Sequence, residues 1–488
     1  MLNNNNVSEI RLPQASGVKI PMGFVFIFCF IYWTYLLFTS KMVIVHDATT
    51  FENLGKLLYG QGWIEFFKTG PHNEPVFPLL IAFSMRVADF FSISYQTVQT
   101  CLHIFILFSA QLLTLFILRQ IRISQGIQAL VILYIGISPA LVNATFSLWS
   151  EVVTYPLILG IILISVKSWQ LILSNKYKKV ILWGAYLAFI FIIVTSIKAL
   201  FEYIFIFFMA PFLLLMIKSI IKKERRIFIG TLLFFVITVF LFNAYLFFYK
   251  SLNQKHNGHF MLTDRGPYIL YGNIAKRSEQ LTLKRFLSCL AFVPGDRVCY
   301  KLFDKNDCDF WHTFTVEEYG QSKLKELKGR GVPHSEIDSM MVTLTKKKIL
   351  ERPFQQALLL FIESFKMLFW ESTQVGFVSY SPWLQKIFLF TPFKNGLRLL
   401  LFLITFISIA VTLRYTLRSK DQLFRYQSPE NIEAHIFFFI LIFIMSYTGL
   451  YSLFIINTRY ASPIASLYLI MIASTIQKTM FKQRLDRK

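Results

Sequence analysis

The stretch MGFVFIFCFIYWTYLLFTS, residues 22–40, decides the class of this chain. It carries no charged residue, and it matches the about 20 apolar residues that a helix needs to cross the ~30 Å hydrocarbon core of a bilayer. Comparable runs follow near 97–118, 127–147, 150–173, 180–197, 200–217, 227–249, 397–416, 435–456 and 460–477. A chain of 488 residues that is 55% hydrophobic, holds 53 Phe and has only 16% charged residues cannot fold as one water-soluble globule. The expected class is an all-α polytopic membrane protein of about ten transmembrane helices. No small-residue cleavage site follows the Asn-rich start, so the first span is expected to act as the insertion signal rather than as a cleaved leader.

Lys and Arg in short loops mark the cytoplasmic side. They gather at alternate connections: Arg119 and Arg122; Lys176, Lys178 and Lys179; Lys218, Lys222, Lys223, Arg225 and Arg226; Arg414, Arg418, Lys420 and Arg425. Arg11 and Lys19 at one end of the chain and Lys478, Lys482, Arg484, Arg487 and Lys488 at the other place both termini with them. The expected layout is a cytoplasmic N-terminus over 1–21, a membrane module over 22–249 with an external loop at 41–96, a second external loop at 250–395, closing spans over 396–477 and a basic cytoplasmic tail over 478–488. The formal charge of +23 is then mostly topology, and no nucleic-acid partner is inferred. The bacterial cytoplasmic membrane is the expected location.

Two apolar segments, Pro75 to Ser92 and Phe354 to Trp370, are short and interrupted by Arg86, Asp89, Glu363 and Lys366. If the first crossed, every later basic loop through Arg226 would change sides, so both are expected to lie in the outer interface as amphipathic helices. The second loop carries turn signals at Asn257-Gly258, Arg265-Gly266-Pro267, Pro294-Gly295-Asp296 and Val332-Pro333. It also holds Cys289, Cys299 and Cys308, of which Cys299 and Cys308 are the nearest pair for a disulfide.

Lys198 and Arg459 are exceptions to the charge rule, because each lies alone at the outer end of a span, on the side of Asp47, His72, Glu74, Glu151 and Glu202. Cations kept there against the insertion bias suggest an anionic ligand such as a lipid phosphate. For either alone, snorkelling or pairing with Glu151 and Glu202 is the blander reading.

The segment from His46-Asp47-Ala48-Thr49-Thr50 through Gly60, followed by Asn73-Glu74-Pro75-Val76-Phe77-Pro78, resembles the first outer loop of the GT-C-fold membrane glycosyltransferases. That superfamily includes the protein mannosyltransferases and the aminoarabinose transferases of lipid A. Trp149-Ser150-Glu151 is similar to its Ser-Glu at the head of a helix, and Asn457-Thr458-Arg459-Tyr460-Ala461-Ser462-Pro463 to its Arg-Tyr-x-x-Pro; Gly272-Asn273 is similar to a Gly-Asn element of its second loop. The resemblance implies transfer of a sugar from a polyprenyl-phosphate donor to a lipid, glycan or protein acceptor. It implies Asp47 as the base that takes the acceptor proton, and Lys198, Arg459 and Tyr460 around the donor phosphate. Attack opposite the phosphate would invert the anomeric centre. His46, His72, Glu74 and Glu151 are expected to touch acceptor or donor, and His72 with Glu74 could alternatively hold a divalent metal, although two ligands are too few to define a site. Glu151 has a second reading as a carboxylate stabilised by the helix dipole, and Asp47 as the cap of a helix beginning near Thr49. Competing activities are a lipid-linked saccharide flippase, which should carry broken helices or charge near the bilayer midplane, and a surface polysaccharide polymerase.

Overall fold

A computed structural model describes residues 21–71, 73–371, 375–424, 429–454 and 457–485. Among these, nine helices are long and apolar enough to cross a bilayer, from Met22–Thr39 through Thr458–Met480. The pair Gln125–Ile137 and Pro139–Phe146 passes the same test only when taken together, across a 43° bend. The chain is a helical, multi-pass membrane protein.

Lipid-facing packing is visible in the first span. Phe24, Phe28, Phe30, Ile31 and Phe38 are bare, while Val25, Cys29, Trp33 and Leu36 form the buried stripe, spaced by three and four residues as a helix face requires. Bare Phe and Ile at that density fit hydrocarbon as the solvent. Each expected apolar run coincides with one of these spans or with the bent pair. Several helices continue past the apolar run: Arg225–Asn257 extends through Lys250 and Asn253 into a polar end closed by Gly258, whose φ is +81°.

The third crossing corrects the expectation of a continuous span at 127–147. Pro139 has no backbone N–H to continue the ladder and forces Ser138 into an extended conformation (ψ 124°). The Ser138 hydroxyl then caps the second half by accepting from the Leu141 N–H at 3.2 Å. The backbone freed at the break is met by the buried carboxylate of Glu371, which accepts from Tyr134 Oη at 2.6 Å, Ser138 Oγ at 2.7 Å and the Ala140 N–H at 2.8 Å.

The basic connections lie together at one end of the bundle. Gln477 accepts from the Ser124 N–H and donates to the Arg122 carbonyl, Trp169 Nε1 donates to the Leu423 carbonyl, and Lys218 sits over the Phe424 ring. The opposite end carries Asp47 and the large segment between the spans ending at Asn257 and starting at Thr391. A two-residue antiparallel ladder, Lys41↔Ser379 and Met42↔Val378, joins the first and second non-spanning segments there.

The large segment has hydrophobic cores of its own. One gathers Cys289, Phe292, Cys299, Cys308, Phe310, Trp311 and Leu359, and a disulfide joins Cys299 to Cys308. The other packs Tyr271 and Ala275 against Leu327, Ile337 and Met341. Helices Arg265–Gln280 and Thr313–Gly329 approach so closely at Gly272 and Gly320 that a Cβ on Gly272 would lie 2.3 Å from the Val316 carbonyl. Only glycine fits there. Arg265-Gly266-Pro267, expected as a turn, is instead the first turn of a helix, where proline costs no hydrogen bond.

Neither ambiguous segment is long enough to be a span. Val76–Phe91 has sixteen residues, and the second resolves into Pro353–Ser364 plus a 3-10 turn, Phe365–Leu368. On the latter the inward face is mixed, with Leu359 and Ile362 buried beside Gln356 and Glu363. Glu363 and Lys366 are buried, whereas Phe354, Leu358 and Phe361, at i, i+4 and i+7, are bare (91%, 47% and 62% exposed). That is the pattern of a helix whose outer face meets lipid.

Candidate functional site

Asp47 is the first residue of helix Asp47–Gly60, so the helix starts two residues earlier than the sequence suggests. The preceding His46 is exposed and holds φ +51°, ψ −125°, a backbone conformation that residues with a Cβ rarely adopt. It donates no side-chain cap, and the Asp47 carboxylate is turned away from its own helix to accept from the Arg459 guanidinium. The capping reading of Asp47 therefore gives way to an ion pair spanning almost the whole chain.

Arg459 reaches Asp47 from the 3-10 turn Thr458–Ile464, whose start is fixed by Asn457 Oδ1 accepting from the Arg459 N–H at 3.2 Å. Its Nε lies 3.7 Å from Glu151 Oε1, and the same oxygen accepts from Lys198 Nζ at 3.1 Å. Glu151 is the first residue of Glu151–Leu173, and Lys198 stands in the short connection between Tyr177–Thr195 and Phe201–Ile221. Glu151, 3% exposed, thus holds the two cations side by side beneath Asp47, which is 44% exposed. Aromatic rings wall the pair. The Arg459 guanidinium carbon is 5.4 Å from Trp149 and 5.2 Å from Tyr460, and Lys198 Nζ is 5.7 Å from Tyr460.

Burial alone would push the Asp47 carboxyl up, but Arg459, with Arg265 and Lys198 behind it, holds it below the ordinary carboxylate range. Burial likewise disfavours the Lys198 ammonium, and Glu151, with Tyr451, Tyr460 and Glu74, outweighs it and raises Lys198 above its ordinary value. Both groups are charged at neutral pH.

Glu74 Oε1 accepts from the Ala199 N–H at 2.6 Å and thereby fastens the first loop to the Lys198 connection. His72 lies outside the described residues. Among the described residues no group of three or more His, Cys, Asp or Glu converges as a metal site. Glu202, considered as a partner for Lys198, pairs with Lys250 at 2.6 Å.

Two charged residues near Asp47 escaped the sequence reading. Arg265 and Glu317, 3.7 Å apart, come from the paired helices of the large segment, and the field of Arg265 reaches Asp47. Burial raises the Glu317 carboxyl, with Asp47 adding repulsion against the pull of Arg265 and Arg459. The available signal was the Gly-Pro after Arg265, which is compatible with a helix start as well as with a turn. No protein-family model and no curated protein matches the chain.

The cluster offers two fixed cations, a carboxylate at its mouth and aromatic walls. That combination can hold a phosphate charge and accept a proton from a group approaching from the open side.

Proposed function

We propose that this protein is a membrane glycosyltransferase of the GT-C type, moving a sugar from a polyprenyl-phosphate donor to a lipid, glycan or protein acceptor at the outer face of the membrane. The supporting observation is the convergence of Asp47, Glu151, Lys198 and Arg459, drawn from four separate parts of the chain, into one cluster at one end of the bundle. Arg459 and Lys198 receive the donor phosphate, whose departure leaves charge that they stabilise. Tyr460 supplies a wall, and Glu151 is a positioning residue that keeps both cations aimed together. Asp47 takes the acceptor proton as the acceptor oxygen attacks opposite the phosphate, with inversion. In the resting protein Asp47 occupies Arg459. A phosphate arriving there exchanges with it, and release from Arg459 raises the basicity of Asp47 when a base is needed. The outer placement is supported by the basic connections at the opposite end and by a disulfide in the large segment, since disulfides persist in oxidising compartments.

One observation favours a second reading, transport of a lipid-linked saccharide. The third crossing is broken, and the start of its second half is occupied by a carboxylate, a device transporters use for ligands. Proteoliposomes supplied with radiolabelled polyprenyl-phosphate sugars and several acceptors separate the two. Label in the acceptor supports transfer. Label that crosses the bilayer still attached to its lipid, with none on any acceptor, replaces transfer with transport.

A further inference from the structure

The large segment contains a second concentration of charge, buried and remote from Asp47. Lys276 and Arg277 on helix Arg265–Gln280 and Lys366 on the 3-10 turn Phe365–Leu368 are 5%, 2% and 5% exposed, and all three line one small cavity with Asn273, Trp311 and Glu363. Glu363 is the single carboxylate among the residues lining it, and it accepts from Arg277 Nη2. Lys276 Nζ donates to the Phe310 carbonyl and, at 2.6 Å, to Thr315 Oγ1. Lys366 Nζ rests 4.3 Å over the Phe292 ring, and Arg285 adds another cation against Phe310. Arg277 remains short: its Nε and Nη1 are buried and have no partner among the described residues.

Three cations against one anion leave an excess of two positive charges among side chains that are themselves buried, and an uncompensated buried charge is strongly unfavourable. Neutralising a lysine does not remove the problem. Burial, with Arg285 and Arg277, lowers Lys276 to about 7, yet the Arg277 guanidinium cannot shed its proton, and Arg277 with Lys366 still outnumber Glu363. What the cavity lacks is an acceptor. Its small interior has room for a compact inorganic anion such as a halide.

We infer that this cavity is a binding site for a halide-sized inorganic anion, held by the free N–H groups of Arg277 with Lys276 and Lys366 around it. Its role is to complete the core of the large segment, and it is independent of the transferase reading. The test is thermal unfolding of the purified full-length protein in detergent, at constant ionic strength, in sodium chloride or bromide against sodium gluconate. A ligand that binds only the folded state raises the midpoint with the logarithm of its concentration once that exceeds Kd. The expected result is such a rise in both halides and none in gluconate, with bromide giving an anomalous peak in the cavity of a crystal. Lys366→Met should weaken the halide response while folding at least as well in gluconate, because it removes a buried charge; Arg277→Met should abolish the response if it folds. Identical midpoints in halide and gluconate for the unaltered protein, or an undiminished response in Lys366→Met, overturns the site.

Discussion

Replacing Asp47 with Asn separates the roles that its carboxylate plays. The amide keeps shape and hydrogen-bonding capacity but cannot accept the proton, and general-base assistance contributes roughly 10²–10⁴ in rate, about 2.7–5.5 kcal/mol. The same change also frees Arg459. Because the Asp47 side chain is 44% exposed, its pairing with Arg459 is screened by solvent and is worth about 1 kcal/mol or less. Unmasking Arg459 should therefore tighten donor binding by no more than about fivefold. The expected signature is a turnover lowered by roughly 10²–10⁴ with the donor KM unchanged or modestly reduced. It is read in proteoliposomes with a radiolabelled polyprenyl-phosphate sugar at varied concentration, after the unaltered protein has been shown to turn over. Asp47→Ala should match it in turnover and retain a normal unfolding midpoint. Turnover within tenfold of the unaltered protein in Asp47→Asn would refute the base assignment, and Glu317, the carboxylate that feels the charge of Asp47, would be the next to test.

Four further outcomes follow from the same geometry. Lys198→Ala and Arg459→Ala should each raise the donor KM at least tenfold with normal membrane insertion, and unaltered donor affinity in both would return these cations to a structural role. Glu151→Gln takes the shared buried carboxylate from two half-buried cations, so it should cost about 1–3 kcal/mol of stability, visible as a lower unfolding midpoint. Single cysteines at the exposed positions Thr69 and Ser339 should react with an impermeant thiol reagent in intact cells, and one at Lys179 only after lysis; the reverse pattern would invert the orientation. For pH, burial, then Arg285 and Arg277 against Glu363 and Glu318, leave Lys276 at about 7 against 10.5 when unfolded, with Lys366 lining the same cavity. The unfolded chain then binds more protons between these values, so in gluconate the stability of the large segment should increase as pH rises from about 7 to 10. A Lys276→Met variant should flatten that rise.

The spans were legible because hydrocarbon imposes one rule on every residue facing it, and a run of Phe, Ile and Leu declares itself without knowledge of its neighbours. The break at Pro139 was also written in the sequence, but apolar residues continue on both sides, and a hydropathy reading passes over one proline. Lys198 and Arg459 stood out as violations of a charge rule, which is a local signal. Glu151 was legible both as a pairing candidate for these cations, alongside Glu202, and as a carboxylate at the head of a helix, but only the tertiary fold brings both cations to one of its oxygens. Arg265, Glu317 and the Lys276 cavity lie in the large segment, where charge is abundant and a buried cation looks like a solvated one until its neighbours are known. The inward turn of Glu363 and Lys366 was hidden for the same reason: the spacing identified an amphipathic helix, but not which face the protein would claim.

The carboxylate of Glu371 has a consequence for how the chain is made. Ser138 and the Ala140 N–H, at the break in the third crossing, receive their acceptor from a residue 233 and 231 positions later. A nascent chain that has delivered this crossing to the bilayer holds there an unsatisfied backbone donor until Glu371 has been synthesised and folded back into the bundle, and lipid offers no substitute. Insertion of the early crossings and their final packing are thus separated in time. Chains truncated before Glu371 should remain dependent on membrane chaperones or be degraded, whereas those extending past it can close.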